Sequence, residues 1–144
     1  MVKLAFASDH GGVELKDAVK EILIAEGYEI EDLGTYGTES VDYPVFGKKC
    51  AEFVAEGNVE KGVVFCGSGI GISIAANKVK GIRCALITNE EYAILAAEHN
   101  NANMLAFGGR FTGTEEAVRC IKVWLETPFG GGRHANRVNL LDEM

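Results

Sequence analysis

This 144-residue chain predicts an α/β fold, a five-stranded parallel sheet covered by helices on both faces. Three observations carry that reading. Five short, mostly apolar runs alternate with segments of helical periodicity, the rhythm of parallel strands joined by helical crossovers. A hydrophobic content of 47% suffices for one buried core, and the length fits one domain over residues 1–144. A single linker-like stretch, Gly130-Gly131-Gly132, leads into a short extra C-terminal helix.

The first strand is expected over Lys3 to Ser8. The helix after it shows Leu15, Ala18, Val19, Ile22 and Leu23 on one apolar stripe and stops at Gly27. The second strand covers Tyr28 to Leu33. Its helix runs from Pro44 to Glu56, with proline in the first turn and Phe46, Cys50, Phe53 and Val54 inward. The third strand, Gly62 to Cys66, feeds a helix that begins inside the following loop. A fourth strand over Ile82 to Ile87 precedes a helix from Glu90 to His99, with Tyr92, Leu95, Ala96 and His99 on one face and the stretch Asn100 to Asn103 closing it. The fifth strand, Asn103 to Phe107, leads to a helix that Thr114 caps, that Glu115 and Glu116 favour at its start, and that ends at Glu126 before Pro128.

Composition excludes several function classes. Asp9 and His10 break the first apolar run too early for a signal peptide, and no run approaches the roughly 18 residues of a membrane span, so a soluble, cytoplasmic protein is expected. Cys50, Cys66, Cys84 and Cys120 lie far apart without metal-ligand spacing, which argues against disulfides and a structural metal. A formal charge of −7, from 14 basic against 21 acidic side chains, disfavours nucleic acid, and any anion site must be local.

In an open parallel sheet, ligands bind beyond the carboxyl ends of the strands, where consecutive connections leave for opposite faces. The loops flanking that crevice are Ser8-Asp9-His10-Gly11-Gly12 and Cys66-Gly67-Ser68-Gly69-Ile70-Gly71. Gly67, Gly69 and Gly71 let backbone N–H groups approach a phosphate or a developing oxyanion at a helix start, although glycines also permit a tight turn with no ligand. Cys66 ends its strand facing this nest, where the helix start stabilises a thiolate able to act as base or nucleophile; the other cysteines fall within helix or strand patterns and read as core. Familiar sites fail here. A phosphotyrosine-phosphatase loop needs arginine where Ile72 stands, a Walker A motif is absent, and G-x-G-x-G is not the dinucleotide fingerprint, although Glu90 lies about the right distance downstream for a ribose.

His99 on an apolar helix face reads by composition as a structural histidine. Its helix spans roughly 15 Å from the carboxyl edge, so His99 cannot reach Cys66 of its own chain; as a catalyst it has to come from a second subunit. Three of five arginines, Arg110, Arg133 and Arg137, fall in the final third near glycine pairs, Arg110 and Arg133 directly after one. Arg133 and Arg137 share a helix face with no acidic residue between Phe129 and Leu141. In an acidic protein this is either a phosphate clamp or a solvated helix face.

Taken in order along the chain, Ser8-Asp9-His10-Gly11-Gly12, the Cys66 to Gly71 loop with Ala75-Ala76-Asn77-Lys78 after it, His99-Asn100 and Gly108-Gly109-Arg110 resemble the ribose-5-phosphate isomerase B family. The wider group includes galactose-6-phosphate and allose-6-phosphate isomerases. The resemblance implies a three-layer α/β/α Rossmann-like sandwich without a cofactor, working in the pentose phosphate pathway as a homodimer or dimer of dimers. Sites would be shared between subunits, with residues 128–144 packing on the partner. It also implies roles. Cys66 moves a proton between C2 and C1 of ribose 5-phosphate through an enediolate, the N–H groups of Gly67, Gly69, Ile70 and Gly71 hold the oxyanion, and Ser68 relays protons. Asp9 positions hydroxyls, His99 opens the ring with help from Tyr43, Asn100 hydrogen-bonds the sugar, and His10, Arg110, Arg133 and Arg137 grip the phosphate. Some members carry a glutamate base at the position of Ile72; with Cys66 present and Ile72 apolar, this chain resembles the cysteine-using branch. A galactose-6-phosphate isomerase subunit, an allose-6-phosphate isomerase and a non-catalytic nucleotide or phosphate-binding module remain as alternatives.

Overall fold

A computed structural model describes residues 2–144. The chain runs β1 (Lys3–Ser8), α1 (Val13–Ala25), β2 (Glu29–Asp32), α2 (Tyr43–Ala55), β3 (Lys61–Cys66), α3 (Ile70–Asn77), β4 (Cys84–Leu86), α4 (Glu90–Glu98), β5 (Met104–Gly108), α5 (Thr114–Glu126) and α6 (Arg133–Asp142). The five strands form one parallel sheet in the order β2-β1-β3-β5-β4. Because β1 has β2 on one side and β3 on the other, the chain reverses direction across the sheet between them. The carboxyl ends of β1 and β3 therefore open the crevice expected from the fold class.

Alternation along each strand divides the core in two. Leu4 and Phe6 of β1, Val63 and Phe65 of β3, and Leu105 and Phe107 of β5 face α1, α4 and α5. Ala5, Ala7, Val64, Cys66, Met104 and Ala106 face α2 and α3. This is the three-layer sandwich, with near-continuous apolar strands because both faces are covered. On the first face Phe6 meets Phe65 edge-on at 5.3 Å and Phe65 stacks on Phe107 at 5.9 Å, aromatic pairs each worth about 0.5–1.5 kcal/mol beyond burial. Trp124 of α5 is fully buried, and its indole N–H donates to Ala102 O at 3.0 Å.

Several local expectations shift. β4 pairs over only three residues, against six expected, because the Arg83 N–H is taken by the Asn103 side chain rather than by the ladder. The outer edge of β4 is closed by Asn77: its side-chain amide donates to Cys84 O at 2.9 Å and accepts from Cys84 N at 2.7 Å. The N-cap of α5 is Gly113 with no side-chain cap, so Thr114 is the first helical residue instead. In α2, Gly47, Cys50, Ala51 and Val54 are buried, whereas Phe46 and Phe53 are only half-buried. In α4 the buried residues are Ala93, Ala96 and Ala97, and the face bearing Tyr92 and Leu95 is exposed. Three alanines let α4 sit close to the sheet, which turns its larger apolar side chains outward. No helix among the described residues is long and apolar enough to cross a membrane.

Candidate active site

Three loops, after β1, β3 and β5, are knitted together at backbone distance. Asp9 N–H donates to Phe65 O at 3.2 Å, Gly109 N–H to Cys66 O at 2.8 Å, and Arg110 N–H to Gly67 O at 3.0 Å. This approach demands glycine at defined points. A methyl group at Gly12 would lie 2.4 Å from the Phe65 carbonyl carbon, and one at Gly109 would lie 2.7 Å from Gly11 O. Asp9 is buried, and its Oδ1 accepts from Gly11 N at 2.9 Å and Gly12 N at 3.1 Å, which fixes the turn that starts α1.

Cys66 closes β3 with only 4% of its surface exposed, so the sulfur forms the floor of the glycine loop rather than its rim. Its Sγ accepts a hydrogen bond from Gly69 N at 3.1 Å. Gly69 caps α3 with φ +82, a left-handed conformation that favours glycine, and a methyl there would strike Leu86 and the Phe107 carbonyl carbon within 2.8 Å. Ser68 Oγ accepts from Ile70 N at 3.1 Å, so its hydroxyl proton is free to point outward. Around this floor stand Arg110, whose guanidinium carbon would be 3.1 Å from a methyl at Gly67, and Tyr43, whose ring would be 2.7 Å from one at Gly71. His10 is exposed, and its Nδ1 accepts from Val41 N at 3.1 Å. Cys66, Gly67, Ser68, Gly69, Ile70, Gly71, Asp9, His10, Tyr43 and Arg110 thus converge at one end of the sheet. Burial pushes the Cys50 thiol up to about 12 and the Cys120 thiol up to about 11, with the carboxylates of Glu116 and Glu90 adding to the second. Burial drives Cys84 up as well, so all three remain inert thiols.

His99, Asn100, Arg133 and Arg137 gather elsewhere. His99 caps the C-terminus of α4, at the edge where Gly62 N–H of β3 meets Asn103 O. Cys66 lies four residues further along β3, roughly 13 Å away at about 3.3 Å per residue, so one chain does not bring His99 to the sulfur. The segment after α5 is tied back by Gly130 N–H to Glu98 O at 2.9 Å, and α6 then stacks His134 on His99 with centroids 4.2 Å apart and planes 16° off parallel. Partial desolvation, together with His99, Arg133 and Arg137, holds His134 below the usual histidine range. Arg133 and Arg137 are exposed, and among the described residues neither forms an ion pair. The expected arginine group is therefore split, Arg110 beside Cys66 and the other two beside His99. Glu90, the sequence's candidate ribose ligand, instead accepts from Arg119 Nε at 2.9 Å on the exterior.

Sequence reasoning did not single out Lys16 or Asp32. Lys16 lies between Leu15 and Val19 on the apolar stripe of α1, yet is fully buried, with Nζ 2.7 and 2.6 Å from the two Asp32 oxygens. A cation on that stripe facing an aspartate at the end of the neighbouring strand was the available signal.

A thiol beneath a glycine-capped helix start, with a carboxylate, a hydroxyl and an arginine around it at the carboxyl end of a parallel sheet, gives this α/β sandwich a crevice of the kind that suits an anion. The chain belongs to the Ribose/Galactose Isomerase family, whose model matches residues 4–141. It is 43% identical over 141 residues to the ribose-5-phosphate isomerase B of Escherichia coli strain K12, covering 98% of this chain and 95% of that one. It superposes with a TM-score of 0.96 and 51% identity on the ribose-5-phosphate isomerase B of Clostridium thermocellum, covering 99% of this chain and 96% of the other. With the Mycoplasma genitalium ribose-5-phosphate isomerase B solved with bound ribulose-5-phosphate, the TM-score is 0.92 at 36% identity, covering 99% and 95%.

Proposed function

We propose that this protein interconverts D-ribose 5-phosphate and D-ribulose 5-phosphate, the pentose isomerisation of the pentose phosphate pathway, with Cys66 as the proton-transferring base. The observation that carries the reading is the Cys66 sulfur on the floor of the Gly67–Gly71 loop, accepting from Gly69 N–H within a fold that matches full-length ribose-5-phosphate isomerase B structures. The Gly69 N–H and the start of α3 direct partial positive charge at the sulfur.

In the proposed reaction, Cys66 takes the C2 proton of the open-chain aldose. Electrons move to O1, an enediolate forms, and the same proton returns at C1 to give the ketose. The N–H groups of Gly67, Gly69, Ile70 and Gly71 stabilise the oxyanion, and the Ser68 hydroxyl carries a proton between O1 and O2. Asp9 holds the sugar hydroxyls, and His10 and Arg110 meet the phosphate from this side. His99, aided by Tyr43 across the boundary, opens the furanose ring. Asn100 binds the sugar, and Arg133 and Arg137 complete the phosphate grip. Because these last groups sit at the far edge of their own sheet, they serve the Cys66 of a second copy, and α6 lies against that copy.

A coupled assay on purified protein tests the base: Cys66→Ala is expected to lower kcat by about 10²–10⁴, and undiminished turnover removes the proposal. Mixing inactive Cys66→Ala and His99→Asn chains under subunit exchange should restore part of the activity, since half the mixed sites regain both groups. A second reading, turnover of allose 6-phosphate or galactose 6-phosphate, is favoured by the family's galactose branch. Comparing kcat/KM on the five- and six-carbon phosphates separates the two.

A further inference from the structure

We propose that Lys16, buried on the face of the sheet opposite Cys66, is a positioning residue for the phosphate-binding side of the site. It acts through Asp32 and the loop of residues 33–42 on His10. The inference rests on the reading of His10 as a phosphate ligand given above.

Among the described residues Lys16 is the one fully enclosed cation. A buried charge loses its hydration, and a well-packed apolar side chain at this point of the α1 stripe would avoid that cost. What Lys16 holds in return is Asp32: Nζ reaches both carboxylate oxygens, lies 3.2 Å from Asp17 Oδ1 and sits 5.4 Å from the Tyr36 ring centre. Lys20 adds a 2.8 Å contact to Asp32 Oδ2. Burial alone would raise the Asp32 carboxyl, but hydrogen bonds from Lys16, Lys20 and Gly34 N–H outweigh it and hold the group below the usual carboxylate range.

Asp32 is thereby a fixed post for the loop that follows it. Its Oδ1 accepts from Gly34 N at 2.9 Å, and its backbone O accepts from the Tyr36 hydroxyl at 2.9 Å. The same segment is sewn to the end of β1, with Ser8 N donating to Gly34 O at 2.7 Å and Thr35 N to Ser8 O at 2.8 Å, one residue before Asp9. From this anchor the chain returns across the crevice to Val41, whose N–H donates to His10 Nδ1 at 3.1 Å, and then to Tyr43 against Gly71. With Nδ1 occupied as an acceptor, the ring proton sits on Nε2, and the imidazole presents a donor to an anion. The loop thus sets both the orientation and the tautomer of His10, and the buried pair sets the loop.

The test compares Lys16→Met/Asp32→Asn, which removes both charges together, with Tyr36→Phe, which removes one loop bond and leaves the pair, and with His10→Asn. KM for ribose 5-phosphate, kcat, and hydrogen exchange at the Val41 and Leu105 amides are measured on each. The double variant is expected to raise KM about tenfold with kcat within about twofold and to speed exchange at Val41 but not at Leu105; Tyr36→Phe should shift KM and Val41 exchange the same way by about two- to threefold. If KM and Val41 exchange stay at wild-type values in both variants, the proposal is overturned, whatever happens to the melting temperature. Should the double variant fail to fold, Tyr36→Phe alone decides by the same two readouts. His10→Asn separates this inference from the reading beneath it. A raised KM there with no effect of the other variants sinks the Lys16 role alone. An unchanged KM in His10→Asn sinks the phosphate assignment of His10, and with it the proposed role of Lys16.

Discussion

The Cys66 region and the His99 region are made from different materials. Around Cys66 the walls are main chain: three loops at hydrogen-bond distance, a sulfur 3.1 Å from Gly69 N, and glycines that cannot accept a methyl group. Around His99 the parts are side chains at helix ends, His99 closing α4 and His134, Arg133 and Arg137 on α6, where only Val138 is buried. A backbone-built site is as rigid as the sheet that carries it. A site made of helix-end side chains takes its final geometry from what packs against it, so substitutions in the two regions should fail in different ways.

The largest effect is expected from Gly12→Ala. A methyl 2.4 Å from the Phe65 carbonyl carbon pushes the start of α1 off the end of β3, costing about 1–3 kcal/mol in urea unfolding and activity with it. Gly37→Ala, where nothing lies within 4 Å, should leave the unfolding midpoint near wild type, and an equal loss there would mean that contact with the β3 backbone is not what excludes a methyl at Gly12. Next in size, Arg137→Ala should raise KM about tenfold or more, as expected for a lost charge-assisted hydrogen bond, without changing the unfolding midpoint; a shifted midpoint would make the arginine a packing element. The smallest effect concerns pH. The folded state holds His134 below the ordinary value of 6.5, so the unfolded chain binds the proton more readily. Stability should therefore be full above that value and decline as pH falls through it, and His134→Asn should flatten the decline in thermal unfolding.

The first region was legible in the sequence because its signal is local: a strand ending in cysteine, glycines at fixed spacing, and a fold rule that places the turn at the crevice. The distance of His99 from Cys66 was also legible, from helix rise alone. What escaped depended on tertiary packing. Tyr92 and Leu95 match the helical period of an inward face, yet Ala93, Ala96 and Ala97 are buried because close approach of α4 to the sheet favours small side chains. Arg110 resembles Arg133 in the two glycines before it, but it leaves β5 at the carboxyl edge while Arg133 and Arg137 follow α5 back to the opposite one. Lys16 was hidden because a lysine on an apolar stripe is distinguishable from a surface residue only once Asp32 is known to face it.

The amide of Asn77 gives the sheet its outer limit. An edge strand with bare N–H and C=O groups is a template on which a foreign strand can add. By donating to Cys84 O and accepting from Cys84 N, a single side chain imitates the missing neighbour at the first residue of the exposed margin. The shortest strand of the protein is thereby closed to strand addition at its first residue.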